Sequence, residues 1–137
     1  CFRYFNVYGD RSPTKGQYAP VVGLFFRQVE ARKSMTIVGD GEQRRDYTHV
    51  SDIVNANILA ALSDNKEVVG ELFNVGTGRN HSVNELAKLI GKPYEYIPAR
   101  QGEARETLAD NSKLREMLGW EPTVKFEDWI EENKPKI

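Results

Sequence analysis

With one cysteine in the whole chain, Cys1, no intrachain disulfide can form, and a disulfide-stapled secreted fold is excluded. Two histidines, His49 and His81, and that single thiol are too few for a Cys/His zinc site. No apolar run approaches the roughly 20 residues that span a bilayer. The opening Cys-Phe-Arg-Tyr-Phe-Asn lacks the basic and apolar regions of a secretory signal. Nor is one sign of charge in excess. Against 20 Asp and Glu stand 19 Lys and Arg, a formal net charge of −1, so the chain has no sequence-independent grip on nucleic acid. Low-complexity segments and internal repeats are absent too. The chain does not begin with Met, and Cys1 reads as the middle of a strand, which suggests a piece of something longer.

What is there is ordinary globular material: 137 residues, 39% hydrophobic and 28% charged, enough for one domain with a real core. The β-formers of residues 2 to 7 predict a strand, and Gly9 to Gly16 a loop. Pro20 suits a first helical turn, followed by Val21, Leu24, Phe25, Gln28 and Val29 at helical spacing. Met35 to Val38 and Asp46 to Val50 read as short extended runs. Ser51 is the expected N-cap of a helix through Ile53, Ile58 and Leu62. Glu71 to Val75 is strand-like. Ser82 and Glu85 form a capping box for a helix that Gly91 ends. Tyr94 to Ile97 reads as a strand, Asp110 or Asn111 caps a helix ended by Gly119, and Phe126 to Glu132 is a last helix. The aromatics Phe25, Phe26, Trp120 and Trp129 fit helix faces packed into a core. The class is α/β, with short strands and three to four helices.

Four segments could carry chemistry. Gly76-Thr77-Gly78, after a strand and before a helix, has the opening of a dinucleotide-binding turn. His81 stands where the third glycine belongs, and a tight packing turn fits better. Gly39-Asp40-Gly41 leads to Arg44 and Arg45, whose planar guanidinium forks suit phosphate, with Asp46 placed to orient Arg45. A solvated polar hairpin fits the same residues equally well. Arg100-Gln101-Gly102-Glu103-Ala104-Arg105 offers two more arginines around a glycine, which suggests anion binding, but on spacing alone an exposed charged loop fits better. Asn6 ends the first strand, where α/β proteins meet ligands, although taken alone it reads better as an Asn in a turn. No nucleophile–base set is evident. His49, in an apolar strand context, reads as a hydrogen-bonded core or rim histidine.

Taken in order, Arg3-Tyr4-Phe5-Asn6-Val7-Tyr8-Gly9, Gly39-Asp40-Gly41 with Arg45-Asp46-Tyr47-x-His49-Val50-x-Asp52, Phe73-Asn74-Val75-Gly76-Thr77-Gly78 and Gly102-Glu103-Ala104-Arg105 make a pattern. It resembles the extended short-chain dehydrogenase/reductase family, in its NAD-dependent nucleotide-sugar epimerases and dehydratases. Within that family the UDP-glucose and UDP-N-acetylglucosamine 4-epimerase branch is most similar, and the likeness runs over nearly the whole chain.

The resemblance implies the C-terminal, substrate-binding portion of an NAD(P)-binding Rossmann-like fold. Residues 1–137 would form a single region, residues 1–9 would be the last strands of an upstream Rossmann sheet, and the cofactor-binding N-terminal half would be absent. It implies substrate contacts at Asn6 (sugar or adjoining phosphate), Val21 and Val22 (backbone, facing the pyrophosphate), Thr36 and Val38 (uracil), Asn74, and Arg45 and Arg105 (a pyrophosphate clamp). Tyr4 would lie near the nicotinamide of NAD. No tyrosine is followed four positions later by lysine, so the family's catalytic pair has no counterpart here, and no catalytic residue is assigned. The ligand implied is a UDP-sugar, with no nucleic acid, membrane or metal. The full-length protein would be a cytoplasmic homodimeric isomerase. Three alternatives stand beside this reading: a nucleotide-sugar dehydratase, an ADP-heptose epimerase, and a stand-alone nucleotide-sugar binding module. Three expectations follow. The chain alone is inert, its opening strand exposes a sheet edge, and Arg45 and Arg105 converge on one anion beside Asn6 and the helix at Pro20.

Overall fold

The computed structural model describes residues 1–16 and 19–136. Its strands are β1 (Phe2–Tyr4), β2 (Val7–Tyr8), β3 (Met35–Val38), β4 (Arg44–Arg45), β5 (Thr48–His49), β6 (Phe73–Val75), β7 (His81–Ser82) and β8 (Tyr94–Ile97). The α-helices are α1 (Val21–Glu30), α2 (Val50–Leu62), α3 (Val83–Ile90), α4 (Ser112–Leu118) and α5 (Phe126–Asn133), with a 3₁₀ turn at Lys66–Val68. Five α-helices thus stand among the described residues where three to four were expected. Each of the five is a segment that the sequence reads as helical, so only the count was low; the shortest, α4, has 7 residues and is sustained by tertiary packing rather than length. No helix of the described residues is long and apolar enough to cross a membrane.

The strands pair two by two: β1 with β6, β2 with β5 and β3 with β8 in parallel, β4 with β7 antiparallel. The expected strand over residues 2 to 7 is therefore two strands. After Phe5 donates to the Val75 carbonyl at 3.0 Å, the chain changes partner, and the Asn6 carbonyl accepts from Thr48 at 3.2 Å. Asn6 stands at that change of ladder. The run 46 to 50 is likewise broken, because Asp46 turns inward. Its fully buried carboxylate accepts from the Thr77 and Gly78 N–H groups at 2.9 Å, from Thr77 Oγ1 at 2.7 Å and from the Ala109 N–H at 3.1 Å. A buried carboxylate needs such a set of donors.

Local signals account for the helix ends. The Ser82–Glu85 capping box opens α3, and Gly91 and Gly119, both left-handed, close α3 and α4. The N-cap of α2 falls two residues earlier than the expected Ser51. His49 is its N-cap, with Nδ1 accepting from the Ser51 N–H at 3.1 Å. At α4 the N-cap is Asn111, which makes no side-chain cap bond and instead donates to the Gly76 carbonyl at 2.8 Å, while Asp110 before it accepts from the Ser112 N–H through Oδ1 at 3.1 Å.

Two apolar clusters form the core. One gathers Phe25, Met35, Ile37, Leu86, Ile90 and Ile130 between α1, β3, α3 and α5. The other packs Ile53, Phe73, Val75, Leu114 and Trp120 between α2, β6 and α4. Phe25 and Trp120 are fully buried, and Phe26 and Trp129 stack at 5° on the edge of the first cluster, so these aromatics serve packing. Asp52 ties the C-terminal segment to α2, accepting from the Thr123 N–H at 3.0 Å and the Val124 N–H at 3.2 Å.

Candidate functional site

Pro20, with φ −58°, launches α1 without a side-chain cap and with no acidic residue in the first turn. The start of a 10-residue helix is thereby left electropositive. The other end of α1 is fixed to β3. Gln28 Nε2 donates to Thr36 Oγ1 at 2.9 Å, and Gln28 Oε1 accepts from the Thr36 N–H at 3.1 Å. In β3 the odd residues bond to the β8 side, through Met35 to Pro93 and Gly39 to Ile97, both at 2.9 Å. Thr36 and Val38 consequently turn their backbone groups to the open edge. There the Val38 carbonyl accepts from Gln43 at 3.0 Å.

Between this edge and the start of α1 lies a cavity of about 400 Å³. Of the residues expected at a site, Asn6, Val21, Thr36, Val38 and Arg45 line it. Arg45 reaches it because strand alternation separates it from Arg44. The Arg44 guanidinium is occupied on the far side by Asn80 Oδ1 at 2.8 Å and Glu85 at 2.9 Å. Arg45, with its side chain 12% exposed, donates to the Arg44 carbonyl at 2.8 Å and meets Glu103 at 3.4 Å. Asp46 does not orient Arg45, since its carboxylate faces the 76–78 turn instead. Asn6 Oδ1 accepts from Thr107 Oγ1 at 3.1 Å, leaving the amide N–H groups as the donors available to the cavity.

Arg105 does not join Arg45. It faces a smaller neighbouring cavity of about 240 Å³ and grips Asp40 through two parallel hydrogen bonds, 2.9 and 3.0 Å. Those bonds, above all, hold the Asp40 carboxyl below the usual carboxylate range. The second cation on the larger cavity is Arg100, and Arg100, Glu103, Val38 and Gln43 line both cavities. Val22 is buried in the core, Asn74 donates to the Asp110 carbonyl at 3.4 Å, and neither lines the larger cavity. Tyr4 lies away from it on β1, its hydroxyl donating to Asn57 Oδ1 at 3.0 Å.

Sequence reasoning did not single out Glu103, Gln43 or Tyr47 as cavity residues, and of the two arginines around Gly102 the resemblance pointed to Arg105 where Arg100 lines the larger cavity. Arg100 shares its glycine-containing segment with Arg105, and spacing alone cannot choose between them. Tyr47 follows Arg45 by two, in the break between β4 and β5. Its ring stacks on Phe126 at 4.5 Å, and burial drives its phenol well above the usual range, so it stays neutral.

The turn Gly76-Thr77-Gly78 is not a phosphate cradle. Its N–H groups already hold the Asp46 carboxylate, and a side chain at Gly76 would collide with Ala109. Among the described residues this turn therefore does not act as a dinucleotide phosphate loop. The described residues contain no group of acidic, histidine and cysteine side chains able to hold a metal.

A family model described as the NAD dependent epimerase/dehydratase family matches residues 1–76. The UDP-glucose 4-epimerase of Mycolicibacterium smegmatis is 39% identical over 131 residues, 91% of this chain and 41% of that protein. Among solved structures, UDP-glucose 4-epimerase of Thermotoga maritima with UDP-glucose superposes with a TM-score of 0.86 at 41% identity, over 95% of this chain and 42% of that one. UDP-N-acetylglucosamine 4-epimerase of Methanobrevibacter ruminantium, in complex with UDP-N-acetylmuramic acid, gives a TM-score of 0.86 at 35% identity, over 96% and 43%. The fold is that of the C-terminal portion of such structures, and the chain spans less than half the length of each of these relatives.

Proposed function

The chain belongs to the NAD dependent epimerase/dehydratase family, and from that premise we propose that it forms the nucleotide-sugar-binding part of a UDP-glucose or UDP-N-acetylglucosamine 4-epimerase. The observation that carries this reading is the meeting of Arg45, Arg100 and the start of α1 on one cavity, with Asn6 at the same wall. A nucleotide sugar joins its halves through a pyrophosphate. Two guanidinium forks and a helix N-terminus suit that group, and a neutral chain needs such local cations to hold it. The open edge of β3 at Thr36 and Val38 borders the same space and suits a base that is read by backbone groups.

Epimerisation at C4 requires the nucleotide to stay held while the sugar turns over. Binding energy remote from the reacting carbon serves that purpose. NAD supplies hydride chemistry in this family. Because no Tyr-x-x-x-Lys is present, no reaction step is assigned to side chains of this chain. Tyr4, half exposed on β1, is the residue proposed to border the nicotinamide.

Titration calorimetry with UDP, UMP and ADP tests this. UDP should bind, UMP more weakly for want of the second phosphate, and ADP more weakly for the wrong base. Equal binding of UMP and UDP would remove the pyrophosphate from the reading, and tighter binding of ADP would favour an ADP-sugar epimerase. The purified chain with added NAD⁺ should not interconvert UDP-sugars.

A further inference from the structure

Residues 98 to 104 form an exposed strap without helix or strand, pinned at both ends by backbone hydrogen bonds. At one end the Ile97 carbonyl accepts from Gly39 at 2.9 Å. At the other the Arg105 carbonyl accepts from Arg44 at 2.9 Å, and Thr107 donates to the Arg44 carbonyl at 3.0 Å. Between the pins the strap carries Arg100 and Glu103, the two side chains it contributes to both cavities. Backbone pins at 97 and 105 fix its ends and leave its middle to side-chain ties. Among the described residues the middle has the loose Glu103–Arg45 contact at 3.4 Å, and the end beside it has the two-pronged Arg105–Asp40 pair.

Asp40 is set in place before Arg105 reaches it. Its Oδ1 accepts from the Glu42 N–H at 2.9 Å, and its carbonyl accepts from Asn84 at 3.0 Å. The turn around it runs through Gly39 (φ 67°) and Gly41 (φ 73°). A side chain at Gly41 would strike Asn84 and Ile37, so the turn is seated against the body of the fold. Only the arginine needs ordering, and its fork meets both carboxylate oxygens at once.

We propose that Asp40 and Arg105 are positioning residues: their ion pair clamps the strap against the 39–41 turn and so presents Arg100 and Glu103 to the ligand. This rests on reading the larger cavity as the pyrophosphate site. Arg105 then acts through the strap without touching the anion. Both partners are exposed, so the expected effect is small, about two- to fivefold, the range of a well-formed surface pair.

Amide hydrogen exchange over residues 99–104 of the ligand-free chain tests the clamp. Asp40→Asn and Arg105→Gln should each speed exchange there by about two- to fivefold. The double variant should be no faster than either single one, because both remove the same pair. The dissociation constant for UDP should rise by the same factor. Unchanged exchange, or additive effects in the double variant, overturns the clamp. Faster exchange with unaltered UDP affinity overturns the positioning role. Failure of the wild-type chain to bind UDP overturns the reading of the cavity, and it is told apart because the exchange arm needs no ligand.

Discussion

The backbone N–H of Gly78 donates to the carboxylate of Asp46 across 32 positions of sequence, at 2.9 Å. Through this contact and those of Thr77 and Ala109, one buried side chain fastens β4 and β5 to the turn after β6 and to the segment leading into α4. Asp46→Ala leaves several buried N–H groups without an acceptor. A loss of about 3 kcal/mol or more is expected, read as a lower urea midpoint with unchanged slope. A loss within experimental scatter of zero would show that the turn finds other partners.

Arg45→Ala should weaken UDP binding by about 1.5–3 kcal/mol, the range for a hydrogen bond to a charged group. Arg105→Ala should cost much less, since Arg105 is spent on Asp40 outside the larger cavity. Calorimetry on the two variants, with far-UV circular dichroism to confirm the fold, decides. Equal losses would return Arg105 to the ligand.

Acid should loosen the molecule through Glu127. Its carboxyl lies below the ordinary range: burial, the largest influence, pushes it up but is outweighed by the His81 hydrogen bond, a backbone bond and the His81 and Arg79 charges. A carboxyl lowered by folding contributes stability that is complete above its unfolded value and is lost as pH falls through the lower folded value. Asp40 and Asp110 shift in the same direction. The melting temperature should therefore hold steady above the carboxylate range and drop below it, and less steeply in Glu127→Gln. Superimposable profiles would show that the 2.6 Å pair with His81 adds nothing.

Self-association is expected through β1 and α2. Val54, Ile58 and Leu62 recur every four residues on one exposed stripe of α2, with Leu62 77% exposed, beside the half-exposed Tyr4 of β1. Within the described residues β1 pairs on one side alone, with β6, and a parallel pair with an open edge invites another strand. Light scattering should find species larger than a monomer, diminished by Ile58→Lys with Leu62→Lys. A strict monomer with a sharp, high-temperature melt would contradict this.

Features set by near neighbours were legible in the sequence. Ser82 with Glu85, Gly91, Gly119 and the β-formers 94 to 97 each act within a turn or a strand, and each is found where expected. What escaped depends on distant partners. Nothing near Asp46 announces that the 76–78 turn will claim its carboxylate. Likewise, nothing near Arg105 announces Asp40, 65 positions away. The split of residues 2 to 7 reflects an exchange of ladder between β6 and β5, which no local pattern encodes. Arg100 was inside a segment already singled out, yet which of its two arginines faces the cavity is decided by how the strap crosses the fold.

The double hydrogen bond of Gln28 to Thr36 has a mechanical consequence. It welds a helix to a strand edge, so the two walls of the cavity behave like the jaws of a caliper locked at one opening. The gap between the start of α1 and the edge of β3 is then a fixed gauge, and any change of aperture falls to the strap. On the proposed reading, Gln28, which does not line the cavity, sets the width of what is admitted. Shortening Gln28 to Asn should broaden the range of nucleotides accepted before it costs affinity for any one of them.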